Sequence, residues 1–357
     1  MTSSSKRRHA AGWIAGALLG VLLLQPPPAH AQAAGAGPHQ ALYSYNGADR
    51  AQRLLERARQ EGSLNLYTSM APTEAAPLTE AFEKKTGVKV NLWRALSAAV
   101  VQRAVGEARG KRHTADVIET NGPEMESLAR EQVLAEFHSP FLADLPPEII
   151  PAHRLWVPDR LNFFVVAYNT TKVKAADLPK TYEGFLDPKW KGRIAIESTD
   201  AEWMAGLVKT WGEERGMAFF RKLGEMKPEM RKGHVLLAQL IAAGEIEVGL
   251  TAYHANALSF KKRGAPLDWA AVEPVIARPQ GVGLARHAPH PHAALLFVDF
   301  LLSPEGQELL ASLGRTPTSR AVKSDTSGMK FVMSDPVVIL DEDAKWQALW
   351  DKILMGK

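Results

Sequence analysis

The chain has 357 residues, 46% of them apolar and 23% charged, the make-up of a globular protein with room for two ordinary domains. It carries 43 basic and 39 acidic residues and no cysteine, which excludes disulfides, thiolate metal ligands and a cysteine nucleophile. Three of the basic residues, Lys6, Arg7 and Arg8, precede an apolar run from Ala10 to Leu24, and Ala29-His30-Ala31 offers a small-x-small cleavage point before Gln32. That order is a secretory signal peptide over residues 1–31, and Pro26-Pro27-Pro28 ends the run short of the roughly 20 apolar residues a membrane span needs. Without those three residues the balance is 40 basic to 39 acidic, so composition gives no support for a nucleic-acid partner. The expected location is the periplasm, with no cysteine to take a lipid anchor.

Residues 32–47 are small and glycine-rich and read as a flexible arm; Asp49 to Glu61 reads as a helix with Leu54, Leu55 and Ala58 inward. From Gly62 to Ile118 the pattern is strand, helix, strand, helix, strand. Leu64 and Leu66 open it, Leu78 and Phe82 lie on one helical face, and Gly87 stops that helix. Val88, Val90 and Leu92 alternate as a second strand, Ser97 stands at a helix start, and Val117-Ile118 is the third strand. This is the signature of an α/β domain with a largely parallel sheet. Pro123 to Arg130 is a further helix, residues 132–158 read as irregular, and Leu161 to Tyr168 is the strongest strand pattern in the chain.

The second half repeats the alternation. A strand over Arg193–Ile196 leads to a helix holding Trp203 and Leu207, with Ser198, Thr199 or Asp200 as its cap. His234 to Ala242 is another helix, and Glu247–Thr251 is a strand leading to Tyr253 and His254. One long helix is predicted over Ala293–Leu313 and a last one near Asp341–Leu354.

The stretches YTS (67–69), LTEAFEKKTGVKVNLW (78–93), ADVIET (115–120), VVAYNT (165–170), FLDPKWKGRIAI (185–196), AAGEIEVGL (242–250) and LLFVDFLLSPEGQELL (295–310) come in a telling order. Together they resemble periplasmic solute-binding proteins of ABC importers, most closely the ferric-iron-binding, type II subgroup. The resemblance implies a type II periplasmic-binding-protein fold, two α/β lobes joined by a hinge around a ligand cleft. Lobe one would comprise residues 48–160 plus 280–357, and lobe two residues 161–279 as an insertion. It further implies delivery of the ligand to a permease in the inner membrane and a monomeric protein without a resident cofactor, a metal ion being the transported ligand if one is bound.

Open α/β sheets bind ligands at the carboxyl ends of their strands, where helix N-termini present free N–H groups. On that basis the candidate ligand-binding residues are Ser69, Met70, Arg94, Ser97, Asn121, Ser198, Thr199, Asp200 and Tyr253. Arg94 suits a carboxylate or phosphate, while Ser69, Ser97 and Ser198 are equally suited to helix capping. Ferric-binding members of the resembled subgroup hold iron with two adjacent tyrosines in lobe two. Aligned on Gly244-Glu245-Ile246 and Gly264, those positions fall near Tyr253, His254 and Ala255, so the pair is not copied. Glu197, Asp200, His234, Tyr253 and His254 offer an alternative metal set, with His254 and His234 as its imidazoles. His287, His290 and His292 form a short His-Pro cluster that reads as a loop.

No GxSxG, HExxH or GxxxxGK[ST] motif occurs, so the reading is a binding protein and not an enzyme. The expected ligand is iron(III) or an iron complex, with a small organic or phosphorylated solute as the alternative. A ligand-sensing subunit of a signalling receptor is the other role open to the same fold.

Overall fold

The computed structural model describes residues 37–356; the expected signal peptide and residues 32–36 of the arm lie outside them. The rest of that arm is not free. Residues 40–43 form a short helix, α1 (Gln40–Tyr43), whose Tyr43 ring is fully buried and whose hydroxyl donates to the Ala285 carbonyl at 3.2 Å. An aromatic ring with a satisfied hydroxyl is enough to fix a segment that composition alone marks as mobile.

After α2 (Arg50–Glu61) the alternation folds as the pattern predicts. β1 (Ser63–Thr68) pairs in parallel with β2 (Lys89–Arg94) on one side and β3 (Val117–Asn121) on the other. α3 (Pro72–Thr86) and α4 (Ser97–Arg109) are the crossovers, and Gly87 ends α3 at φ 79°, a left-handed position that favours glycine. α5 (Gly122–Arg130) follows β3 directly, and β4 (Leu134–Ala135) precedes a run of short 3₁₀ turns carrying Pro140, Pro146 and Pro147.

β5 (Val157–Asn169) is the long strand foreseen at Leu161–Tyr168. Beyond it come β6 (Ile194–Glu197), α6 (Ala201–Trp211), α7 (Glu213–Glu225), β7 (Glu229–Arg231), α8 (His234–Ala243), β8 (Val248–Tyr253), α9 (His254–Lys262), β9 (Leu267–Ala270) and β10 (Ile276–Ala285). The strand order is β2-β1-β3-β10-β5-β8-β6-β7. Through Phe163, β5 pairs antiparallel with β10; from Phe164 onward it pairs antiparallel with β8. One strand therefore passes from one half of the sheet to the other, and β10 passes back beside it. Gly281 of β10 allows a close approach there, because a Cβ at that position would sit 2.4 Å from the Trp156 ring.

Each half has its own core. In β1 the successive residues Leu66 and Tyr67 point into different clusters, one with Phe82 and Phe297, the other with Ile118, Met125 and Trp156, as a pleated strand requires. The other half gathers Phe164, Trp203, Leu207, Phe220 and Leu250, and full burial of side chains such as Leu207 and Phe220 stabilises by about 1.5–3 kcal/mol each.

The carboxyl-terminal region departs from the sequence expectation in two ways. The predicted helix over 293–313 is two helices, α10 (Pro291–Leu302) and α11 (Pro304–Ser312), because Pro304 has no N–H to continue the ladder and Ser303 caps the restart by accepting from Gly306 N. β11 (Thr316–Pro317) then pairs with β5 and β12 (Val332–Met333) with β10. The last helix, α12 (Pro336–Trp350), places Trp346 and Trp350 in the Phe164–Trp203 core, although residues 280–357 were expected wholly with the first lobe. It also reaches the other half, since Arg130 of α5 pairs with Asp341 while Lys209 of α6 pairs with Glu342 at 3.2 Å. Among the described residues no helix is long and apolar enough to cross a membrane.

Candidate functional site

The loops after β2 and β3 are fastened together, for the Asn121 amide donates to Ser97 Oγ at 2.8 Å. Ser97 is thus held by a neighbouring loop and caps no helix; the residue before it, Leu96, starts α4 with no side-chain cap. α5 begins at Gly122, where a Cβ would fall 2.8 Å from Pro279, so the helix start lies tight against β10. Glu124 stands in its first turn. Burial raises the pKa of Glu124, Arg278 opposing, and its Oε2 is buried without a hydrogen-bond partner.

Opposite stands the start of α6. Thr199 donates through its amide and hydroxyl to Glu197 Oε2 at 2.6 and 2.7 Å, which closes the turn from β6 into α6. Asp200 occupies the capping position yet caps nothing; its carboxylate turns inward to His234, Oδ1 lying 3.2 Å from Nε2. Glu202, one residue into α6, accepts from the Ser334 hydroxyl and lies 2.8 Å from Arg278 Nε. Arg278 comes from β10 and donates through Nη1 to the Tyr253 hydroxyl at 3.1 Å. Burial opposes the guanidinium charge, but Glu202, Tyr253 and Glu124 around it raise its pKa well above the ordinary value. Burial likewise raises the pKa of the Tyr253 phenol, with Arg278 pulling the other way. Tyr253 is therefore a phenol at neutral pH.

Glu124, Thr199, Glu202 and Arg278 line one cavity of about 470 Å³, a size suited to a small solute. Glu124 and Gln102 come from α5 and α4, Thr199 and Glu202 from around the start of α6, Arg278 from β10, and Asp343, Trp346 and Gln347 from α12.

The sequence-predicted residues divide. Thr199 lines the cavity, and Tyr253 meets it through Arg278. Ser97 and Asn121 hold its first wall, and Ser198 holds α12 by accepting from Trp350 Nε1 at 2.8 Å. Ser69 lies beside β3, donating its amide to the Glu119 carbonyl at 3.1 Å. Met70 is a core residue packed with Leu66 and Phe82, because the turn after β1 points its side chain inward. Arg94 is exposed and directs Nε to the Met70 carbonyl at 3.2 Å. His254 stands apart from His234: it opens α9 one residue beyond Tyr253, turned edge-on to Trp269 at 4.5 Å, with both ring nitrogens unpartnered. Burial lowers its pKa to about 4, so it stays neutral.

His287, His290 and His292 share no ligand. His287 stacks on His113, His290 pairs with Asp116 at 2.9 Å and His292 with Glu61 at 2.7 Å. The cavity residues that sequence reasoning missed are Glu124, Glu202, Arg278 and the face of α12. A signal was present for one of them: Arg278 is a lone charge in an otherwise apolar strand pattern.

Residues 67–308 match the family model described as bacterial extracellular solute-binding protein. The chain belongs to that family. A relative from Synechocystis sp., iron uptake protein A1, is 28% identical over 304 residues, which is 76% of this chain and 83% of the relative. The putative 2-aminoethylphosphonate-binding periplasmic protein of Salmonella typhimurium is 25% identical over 298 residues, covering 78% and 82%. The crystal structure of iron-bound HitA from Pseudomonas aeruginosa superposes with a TM-score of 0.71 at 23% identity, covering 82% of this chain and 99% of that one. The fold of this family member is accordingly the type II arrangement of two lobes around a cleft, and its role is that of the solute-binding component of an ABC importer.

Proposed function

We propose that this family member captures a small organic solute that carries both an amine and an anionic group, and releases it to an inner-membrane permease. The observation that carries the reading is Glu124, which lines the same cavity as Arg278 and Glu202 and whose Oε2 has no hydrogen-bond partner. A buried carboxylate oxygen left without a donor costs free energy, and an ammonium group from a ligand removes that cost. The starts of α5 and α6, with Pro123 and Ala201 on the cavity lining, offer the anionic end two positive helix termini.

Closure of the two walls is the capture step. β5 and β10 are the crossing strands, lobe two is the insertion of residues 161–279, and α12 lies over the cleft mouth against both. A ligand bound equally in open and closed forms shifts nothing, so contacts from α5 on one side and α6 on the other are required. The mature chain begins at Gln32, acts as a monomer in the periplasm and performs no turnover.

Relatives named for iron make ferric iron the competing cargo. Against bare ferric iron stands the single tyrosine, Tyr253, whose hydroxyl is already engaged by Arg278. The test is a thermal-shift comparison of 2-aminoethylphosphonate, small phosphate esters and ferric citrate as probes. A probe at 100 times its Kd adds about 2.7 kcal/mol of stability. The reading expects that response from the amine-bearing anion, and a response confined to ferric citrate contradicts it.

A further inference from the structure

We propose that Glu197, Asp200 and His234 form a site for one divalent first-row transition-metal ion, built into the wall that carries Thr199. The three residues come from separate segments: the end of β6, the residue before α6 and the first residue of α8. One ligand atom from each lies within 4.8 Å of the other two.

The hydrogen bonding of His234 is the strongest pointer. Its Nδ1 lies 3.1 Å from the Thr251 carbonyl oxygen, which can only accept, so Nδ1 carries a proton. Nε2, the ring's other nitrogen, faces Asp200 Oδ1 across 3.2 Å. A cation held between the two atoms would be bound by both. Ligands about 2.0–2.2 Å from a tetrahedral ion lie about 3.4 Å apart, close to the separation seen. A histidine whose other ring N–H donates to a main-chain carbonyl is the arrangement that fixes the tautomer of a metal ligand.

Asp200 supplies the second pointer. It is 3% exposed, it leaves its capping position unused, and its Oδ2 is buried with no hydrogen-bond partner. Glu197 is already oriented, since Oε1 accepts from the Gly233 amide at 2.7 Å and retains a lone pair while Oε2 holds Thr199. The Tyr253 ring stacks on the imidazole at 3.5 Å between centroids and sets its plane. One neutral imidazole with two carboxylates suits a borderline ion of the manganese-to-zinc series, whose two charges balance the site. Bound there, the ion would tie the β6–α6 turn to the start of α8 and stiffen one wall of the cleft.

The experiment uses the mature protein after chelator treatment, titrated with Zn²⁺ by calorimetry and with Co²⁺ by absorption. The expected result is one ion per chain, a thermal midpoint raised by roughly 5 °C or more at saturating Zn²⁺, and cobalt bands of an N/O ligand set. His234→Ala and Asp200→Asn should each weaken binding at least about tenfold, with Glu124→Gln as a control that retains it. Circular dichroism shows whether each variant is folded, and the cobalt bands report on wild type whatever the variants do. Absence of Zn²⁺ binding in wild type, equal binding in a folded His234→Ala, or protons on both His234 nitrogens in Zn²⁺-saturated protein would overturn the site. Metal binding is read without any cleft ligand, so failure of the solute proposal leaves this result standing, and the reverse holds too.

Discussion

The indole N–H of Trp350 donates to the carbonyl of Ser198 at 2.8 Å, joining the last helix to the turn that opens α6. Trp350 is fully buried in the second core, so α12 is anchored where the cleft wall is made. This contact gives a clean separation of packing from hydrogen bonding. Trp350→Ala is expected to cost about 3–5 kcal/mol in urea unfolding, as other large-to-small core changes do. Trp350→Phe keeps most of the ring and loses the donor, at about 1 kcal/mol, and should weaken solute binding by loosening the Ser198 turn. Equal binding by Trp350→Phe and wild type would remove the buttress role.

A buried charge network sits where β5 begins to pair with β10. Arg160 Nη1 contacts Glu119 and Asp159, each at 2.8 Å, and Arg160 Nε lies 3.5 Å from Glu74. Burial raises the Asp159 pKa to about 7, Glu119 adding to the rise and Arg160 opposing it. A carboxylate whose folded pKa is raised contributes stability that is full below its unfolded value near 3.9 and is lost as pH climbs through about 7. Asp159→Asn should therefore flatten the stability profile between those limits, measured as unfolding midpoints in denaturant across pH. An unchanged slope would show that Asp159 is already ionised well below neutrality.

Much of the fold was legible because strand and helix periods differ and glycine or proline marks their ends. Gly87 and the Leu161–Tyr168 run fall where the pattern puts them. The cavity was less legible. Thr199 and Tyr253 could be placed from their positions after β6 and at the end of β8, but Glu124, Glu202 and Arg278 lie in three segments that only the folded chain brings together. Neither Met70 nor His254 lines this cavity, for one reason: sequence gives the residue at a strand end, and the side to which it points is fixed by packing. The break at Pro304 was readable, since proline cannot continue a helical ladder. The partner of α12 was not, because its tryptophans would fit either core.

Gly281 tests the crossing strands. A Cβ there would meet the Trp156 ring at 2.4 Å, and both groups are buried in strand and core. Gly281→Ala is expected to destabilise by about 1–3 kcal/mol through overpacking. The same variant should alter the temperature dependence of solute binding if β10 bends during closure. Calorimetric unfolding checks the first outcome, and wild-type stability in the variant would contradict the packing account.

Glu124 and Arg278 are expected to meet one solute in the cleft. Isothermal titration with 2-aminoethylphosphonate tests this most directly, using wild type, Glu124→Gln and Tyr253→Phe. Wild type should bind stoichiometrically, Glu124→Gln at least about tenfold more weakly through loss of a charge-assisted hydrogen bond, and Tyr253→Phe with a smaller loss. No binding of that probe, together with tight binding of ferric iron and a tyrosinate charge-transfer band that Tyr253→Phe abolishes, would contradict it and give the cleft to iron.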